Sequence, residues 1–365
     1  MKYLIKKVYI ILFFTFIVLN QNKAFTKNND NLYNSKNISN YFLGIVSANF
    51  NKNDNALDYL KKVELLKKKH SEYNIQYLRS LILSNKFDEA TIFSKSIWNE
   101  GELFFEADLL IGLDYFINKD YENAEKHFQR LNEISRYNLF FDDFIGNILI
   151  AWIKASQENK NEAYKFLNKI PDRYYHIKKT QDVFLKCFFD SQETPKIFEE
   201  IVQNEEYDFA RYNFFMVNYF LFKNENEKAK EAIKKSSEKY SSNLLIKETE
   251  NFLFENKESK IKDFFNCKNP KDPIAEFFYV ISNLYSSEKE YQISNFYFNV
   301  SQYLNKDFLS NNALLAENYY FQKNYKKSKK IYLDLKSVGP VYSWHSSKRI
   351  SRILLDEEGK ETALK

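Results

Sequence analysis

The chain has 365 residues, with 54 basic against 49 acidic side chains for a formal charge of +5, and two cysteines, Cys187 and Cys267. A chain of that length can bury an adequate core without a disulfide framework, and so near a charge balance argues against a nucleic-acid binder, which normally carries a basic excess on one face. Six glycines and five prolines point to helices joined by short turns. The 18% aromatic content accompanies an Asn-, Lys- and Ile-rich composition of AT-rich codon type, which looks bacterial and removes aromatic abundance as a clue to function.

At the N-terminus, Lys2, Lys6 and Lys7 precede an apolar run from Val8 to Leu19 broken only by Thr15. Asn20 to Lys23 are polar, and a small residue, Ala24, follows. This order predicts a secretory signal peptide over residues 1–24. The run is shorter than the ~20 apolar residues that span a bilayer, and an uncleaved anchor over residues 4–20 is the alternative. Membrane contact is expected only through that segment. Cleavage removes four of the basic residues and no acid, leaving 50 against 49. The lysine clusters at 67–69 and 326–330 then read as solvated helix ends. Residues 25–37 form a polar linker.

From residue 38 a unit repeats. Asn55 to Leu60, Phe87 to Phe93 and Tyr121 to Phe128 align without gaps, and their alanines, Ala56, Ala90 and Ala124, are spaced by 34 residues. Ile111-Gly112, Tyr115, Tyr121, Ala124 and Phe128 complete one unit. Leu43-Gly44, Ala56 and Leu60 mark another. Spacing and residue type together resemble the tetratricopeptide repeat family. Ala163 with Leu167 and Ala229 with Ile233 continue the pattern. Ser294 and Ser328, again 34 apart, take the small position further on. Two weaker units are placed around Thr180 to Val202 and Asn243 to Asn266. Val341 to Leu355 reads as the first helix of a tenth unit, and Ala363 opens its second helix where the sequence stops, which suggests a truncated frame. The expectation is an all-α, right-handed superhelical solenoid of antiparallel helix pairs over residues 38–365, about nine and a half repeats.

Catalytic chemistry finds no foothold. His70, His127, His176 and His345 fall in different units, and no His-Glu-x-x-His, Cys-x-x-Cys or glycine-rich phosphate loop occurs. Asp142-Asp143, Glu199-Glu200 and Asp356-Glu357-Glu358 are neighbours that point to different helix faces. Cys187 and Cys267 lie about two repeats apart and read as buried free thiols. No catalytic residue, metal or cofactor is expected, and the chain is read as not an enzyme.

The resemblance implies that the first helix of each unit lines a concave face and meets ligand through its second, fifth and ninth positions. The ninth falls on Ile45, Arg79, Leu113, Trp152, Asn218, Asn283, Glu317 and Arg352; the fifth falls on Tyr41, Phe214 and Tyr279, among others. Arg79, Trp152, Asn218, Tyr279, Asn283, Glu317 and Arg352 are the candidate protein-binding residues. The Lys–Asn clamp by which family members hold a peptide carboxylate is absent from this set. The expected function is a non-catalytic scaffold or adaptor in the bacterial cell envelope, periplasmic or secreted, that binds a protein or extended peptide and no nucleic acid. The alternative is a docking or regulatory region of an enzyme whose catalytic domain lies downstream or on a partner chain.

Overall fold

The computed structural model describes residues 32–360 apart from 68, 100, 102, 135–143 and 205–208. The expected signal peptide, the Asp142-Asp143 pair and the helix start at Ala363 lie outside the described residues. Among the described residues no strand forms, and no helix is long and apolar enough to cross a membrane. The helices follow in antiparallel pairs: α1 (Ser35–Asn49) with α2 (Asn53–Lys61), α3 (Ser71–Leu83) with α4 (Phe87–Ile97), and α5 (Phe105–Ile117) with α6 (Tyr121–Ile134). Next come α7 (Phe144–Ser156) with α8 (Lys160–Leu167), α9 (Tyr175–Phe188) with α10 (Thr194–Gln203), and α11 (Ala210–Phe222) with α12 (Asn226–Lys239). The last pairs are α13 (Leu244–Phe254) with α14 (Glu258–Phe264), α15 (Lys271–Ser287) with α16 (Tyr291–Leu304), and α17 (Leu309–Phe321) with α18 (Tyr325–Leu335). A single helix, α19 (Pro340–Glu358), closes the order.

One turn joins the two helices of every pair. A residue with φ between 53° and 64° ends each first helix: Asn51, Asn85, Lys119, Glu158, Asp190, Asn224, Asn256, Lys289 and Lys323. The next N–H donates five residues back, as in Lys86 to the Leu81 carbonyl at 2.9 Å and Asn324 to the Tyr319 carbonyl at 2.8 Å. This is the Schellman ending of a helix, usually given to glycine. Asn and Asp tolerate left-handed backbone through their short polar side chains, whereas Lys and Glu bear a steric cost of about 1–2 kcal/mol. Glycine at Lys119, Lys289 and Lys323 is therefore expected to raise stability by about 0.5–1 kcal/mol at each site, after its own entropic cost. Urea unfolding of the triple variant checks this through an upward shift of the midpoint.

Small residues sit where the helices of a pair cross. Ala56, Ala90, Ala124, Ala163 and Ala229 are wholly buried. A Cβ on Gly112 would lie 2.4 Å from the Phe128 ring, and one on Gly44 would lie 2.6 Å from the Leu60 side chain. The later units use serine at the same place. Ser294 Oγ donates to the Ser282 carbonyl and Ser328 Oγ to the Ala316 carbonyl, both at 2.8 Å. The hydroxyl thus spends its hydrogen bond on the partner helix, which is how a polar residue substitutes for alanine in a core.

The superhelix turns tightly enough to meet itself. Phe87 in α4 stacks on Tyr303 in α16 with ring centroids 4.2 Å apart. Lys327 Nζ donates to the Leu83 carbonyl at 2.7 Å, and Gln292 Nε2 donates to the Ala48 carbonyl at 3.4 Å. Glu248 in α13 accepts the N–H groups of Val341 and Tyr342 at 2.8 and 3.1 Å, pinning the start of α19. Gly339 permits this approach, since a Cβ there would lie 2.1 Å from the Glu248 carboxylate. Residues 144–153, 212–221 and 272–279, in the first helices α7, α11 and α15, are consequently buried without a break. Helices covered on all sides belong to a core and not to a groove.

The same curvature corrects the reading of the cysteines. Cys187 in α9 and Cys267, just after α14, form a disulfide with their Cα atoms 6.0 Å apart. A regular open solenoid would hold them two units apart. Here the segment after α14 folds back onto α9, where Lys268 Nζ donates to the Phe188 carbonyl at 2.7 Å.

Asp272, in the first turn of α15, accepts from the Asn266 N–H and the Asn269 side-chain amide, both at 2.8 Å. Burial nevertheless pushes its carboxyl up to about 7. The unfolded value is ~3.9, so the fold favours the neutral acid. Its contribution to stability is complete below about pH 4 and is lost as the pH rises through 7. Asp272→Asn is expected to flatten the decline between those limits, read from denaturant midpoints of both proteins at stepped pH.

Candidate protein-binding cleft

The seven residues expected at a concave face divide into interior and accessible sets. Trp152 is 1% exposed, and its Nε1 donates to Gln181 Oε1 at 2.7 Å; Gln181 Nε2 in turn donates to the Pro273 carbonyl at 3.4 Å. Asn218 is 2% exposed and donates to the Ile261 carbonyl at 3.0 Å. Both tie α7 and α11 to other units, so neither offers a surface to a ligand. Tyr279 is also buried, packed on Phe298 and Phe308 with ring centroids at 6.0 and 5.1 Å. The expectation of an open face fails at Trp152, closed off by α9 and the start of α15, and at Asn218, closed off by α14, while Tyr279 keeps only a narrow exposed edge, 6% of its surface, at a cleft. Leu113 and Phe214, from the same register, are core as well.

The other four are accessible but spread over three places. Arg79 is half-buried and pairs with Glu106 at 2.6 Å, on the seam where α3 meets α16. Glu317 accepts from the Tyr332 hydroxyl at 2.8 Å and pairs with Arg349 at 3.3 Å. Arg352 is exposed and lies over the Tyr320 ring at 4.9 Å. Asn283 is half-buried and lines a cleft of about 320 Å³.

That cleft lies between units six to nine. Its walls are Arg211 at the start of α11, Tyr240 and Asn243 before α13, Tyr279 and Asn283 on α15, and Ser310 on α17. Arg211 Nε binds Glu276 Oε1 at 2.6 Å, and the guanidinium lies 5.2 Å from the Tyr279 ring centroid. Burial pushes the Glu276 carboxyl up to about 6 against the pull of Arg211. The pair sets Arg211 as a rigid planar donor at the cleft edge. Amide, hydroxyl and guanidinium groups converge there on an aromatic floor, an arrangement that can hydrogen-bond an extended backbone and pack a side chain. Arg211 and Ser310 were missed, although counting back seven residues from Asn218 and Glu317 reaches them at the second position of the same register. Tyr240 and Asn243 precede a helix and carried no such signal.

The chain folds as a tetratricopeptide-like solenoid. Similar solved structures include the crystal structure of the APC/C hetero-tetramer Cut9–Hcn1, at 13% identity and a TM-score of 0.33, with 90% of this chain and 71% of that chain covered. The human IFIT1 dimer with PPP-AAAA is similar at 15% identity and a TM-score of 0.29, covering 95% of this chain and 77% of that one. No family model matches the chain, and no curated protein sequence does.

Proposed function

We propose that the protein is a non-catalytic interaction scaffold of the bacterial cell envelope, and that it holds an extended protein segment in the cleft between α11, α13, α15 and α17. The observation that carries this reading is the cleft itself. Polar side chains line it, whereas α7, α11 and α15 are buried without a break over residues 144–153, 212–221 and 272–279. The partner's backbone pairs with Asn283, Asn243 and Ser310, and a side chain rests against Tyr279. An exported setting is supported by the N-terminal pattern and by the Cys187–Cys267 bridge, since disulfides persist in oxidising compartments and are rare where thiols are kept reduced.

Photocrosslinking probes at Asn283 and Ser310, with one at exposed Lys126 on α6 as control, test the site in cells. Discrete adducts from the two cleft probes and none from Lys126 are expected. Equal labelling from all three overturns the cleft as the binding site. Fractionation in the same experiment tests the compartment: a processed protein leaves the membrane pellet on carbonate washing, and a chain retaining residues 1–24 does not.

A further inference from the structure

Helix α1 presents opposite faces of opposite character. Asn40, Gly44 and Ala48 form a buried ridge against α2. Ile38, Phe42, Val46 and Phe50, offset by two residues or about 200°, form a second ridge that is exposed along its whole length. Phe42 is 59% and Phe50 71% exposed, and Leu43 and Tyr33 extend the patch. In later units the counterparts of Phe42 by the same register are more covered: Leu110, Leu149 and Phe215 are buried, and Gln76, Val280 and Leu314 are half-buried. Lys36 is the single charged residue of α1, in a chain where 28% of residues are charged. Charge depletion with aromatic enrichment is the composition of an interface core.

The chain itself offers little to cover this ridge once its leader is removed. Residues 25–31 read Phe-Thr-Lys-Asn-Asn-Asp-Asn, with one apolar member. The exposed side chains present on the order of 500–600 Å² of apolar surface, at the top of the ~300–600 Å² that the largest patch of a monomer covers and that often serves a function. Doubled, that is about 1,000–1,200 Å², at the lower edge of specific interfaces. A ridge of i, i+4, i+8 side chains also interdigitates with its own copy, crossing at about −50°.

We infer that this face is a self-association surface, on which two copies pack α1 against α1 about a two-fold axis. The inference rests on the removal of residues 1–24 within the proposed export reading. Dimer and scaffold are compatible, because the cleft lies on α11 to α17 and stays open in each copy.

Sedimentation equilibrium of the full chain, produced with its own N-terminus and with the mature mass read by mass spectrometry, tests it. A reversible dimer is expected at micromolar concentration. Phe42→Glu is expected to weaken it at least 100-fold, with an unchanged unfolding midpoint at protein concentrations dilute enough for both proteins to be monomeric, since the side chain is exposed in the protomer. Trp344→Glu, on the exposed face of α19, is expected to change nothing. A monomer at 100 µM overturns the inference, and so does a dimer indifferent to Phe42→Glu. Loss of the dimer through Trp344→Glu would replace it with head-to-tail stacking. The mass separates failure of the export reading from failure of the dimer, because retained residues 1–24 appear there whatever the association state.

Discussion

Alanine at both Cys187 and Cys267 is expected to lower the stability of the protein by about 4.5 kcal/mol. The bridge closes a loop with a sequence separation of 80, and the chain-entropy relation for a loop of that length gives this figure. Its effect falls mainly on the unfolded chain, which loses freedom when units five and seven are tied together. The folded protein should change little, because both side chains are already buried and alanine leaves no unpaired hydroxyl. Denaturant unfolding checks this in two ways. Wild type with reductant should fall to the midpoint of the double variant, and reductant should leave the variant where it is. A wild type indifferent to reductant would mean that the bridge does not form. Because neighbouring units of a solenoid support one another, the loss should be largest for probes near α9 and α14.

Asp108→Ala is the second large effect, expected to cost about 3–5 kcal/mol. The carboxylate is wholly buried in α5. Its Oδ1 accepts from Trp98 Nε1 at 2.9 Å, from Arg130 Nε at 2.9 Å and from His127 Nδ1 at 2.8 Å, so one oxygen gathers the end of α4, the start of the following loop and α6. Without it the Arg130 guanidinium loses one of its partners, and the ring N–H groups of Trp98 and His127 lose their acceptor. Leaving such groups unpaired is costlier than never having had them. Asp108→Asn, which keeps an acceptor, should lose less. Adding Arg130→Met to Asp108→Ala should recover part of the loss, a coupling that a double-mutant cycle reads directly. Trp98 fluorescence should shift to the red in Asp108→Ala if the indole is released. An unshifted emission with full stability would show that the cluster contributes nothing.

The cleft depends on parts of the molecule that differ in how far they could be read beforehand. Asn283, Arg211 and Ser310 belong to the register of the repeats, so their place on first helices follows from counting residues. Whether such a residue meets solvent does not. Trp152 and Asn283 occupy the same position in different units, yet one is hydrogen-bonded inside a core and the other lines a cleft. The difference comes from what crosses over each of them, and those contacts join residues far apart in sequence, such as Gln181 with Pro273.

By itself the sequence determined the all-α class and the pairing of helices, because both are local. Gly44 with Leu60 and Gly112 with Phe128 are read from short spacings, and the close crossings they permit are the ones found. Small residues 34 positions apart, at Ala56, Ala90 and Ala124 and again at Ser294 and Ser328, record that geometry directly. The tertiary structure alone decided how tightly the solenoid winds, and with it the burial of Trp152, Asn218 and Tyr279 and the meeting of Cys187 with Cys267. Superhelical curvature accumulates from small rotations at every interface between units, each set by many side chains packing at once. No single motif encodes that sum, so much of the hollow predicted as a groove became core, while Asn283 came to line a cleft.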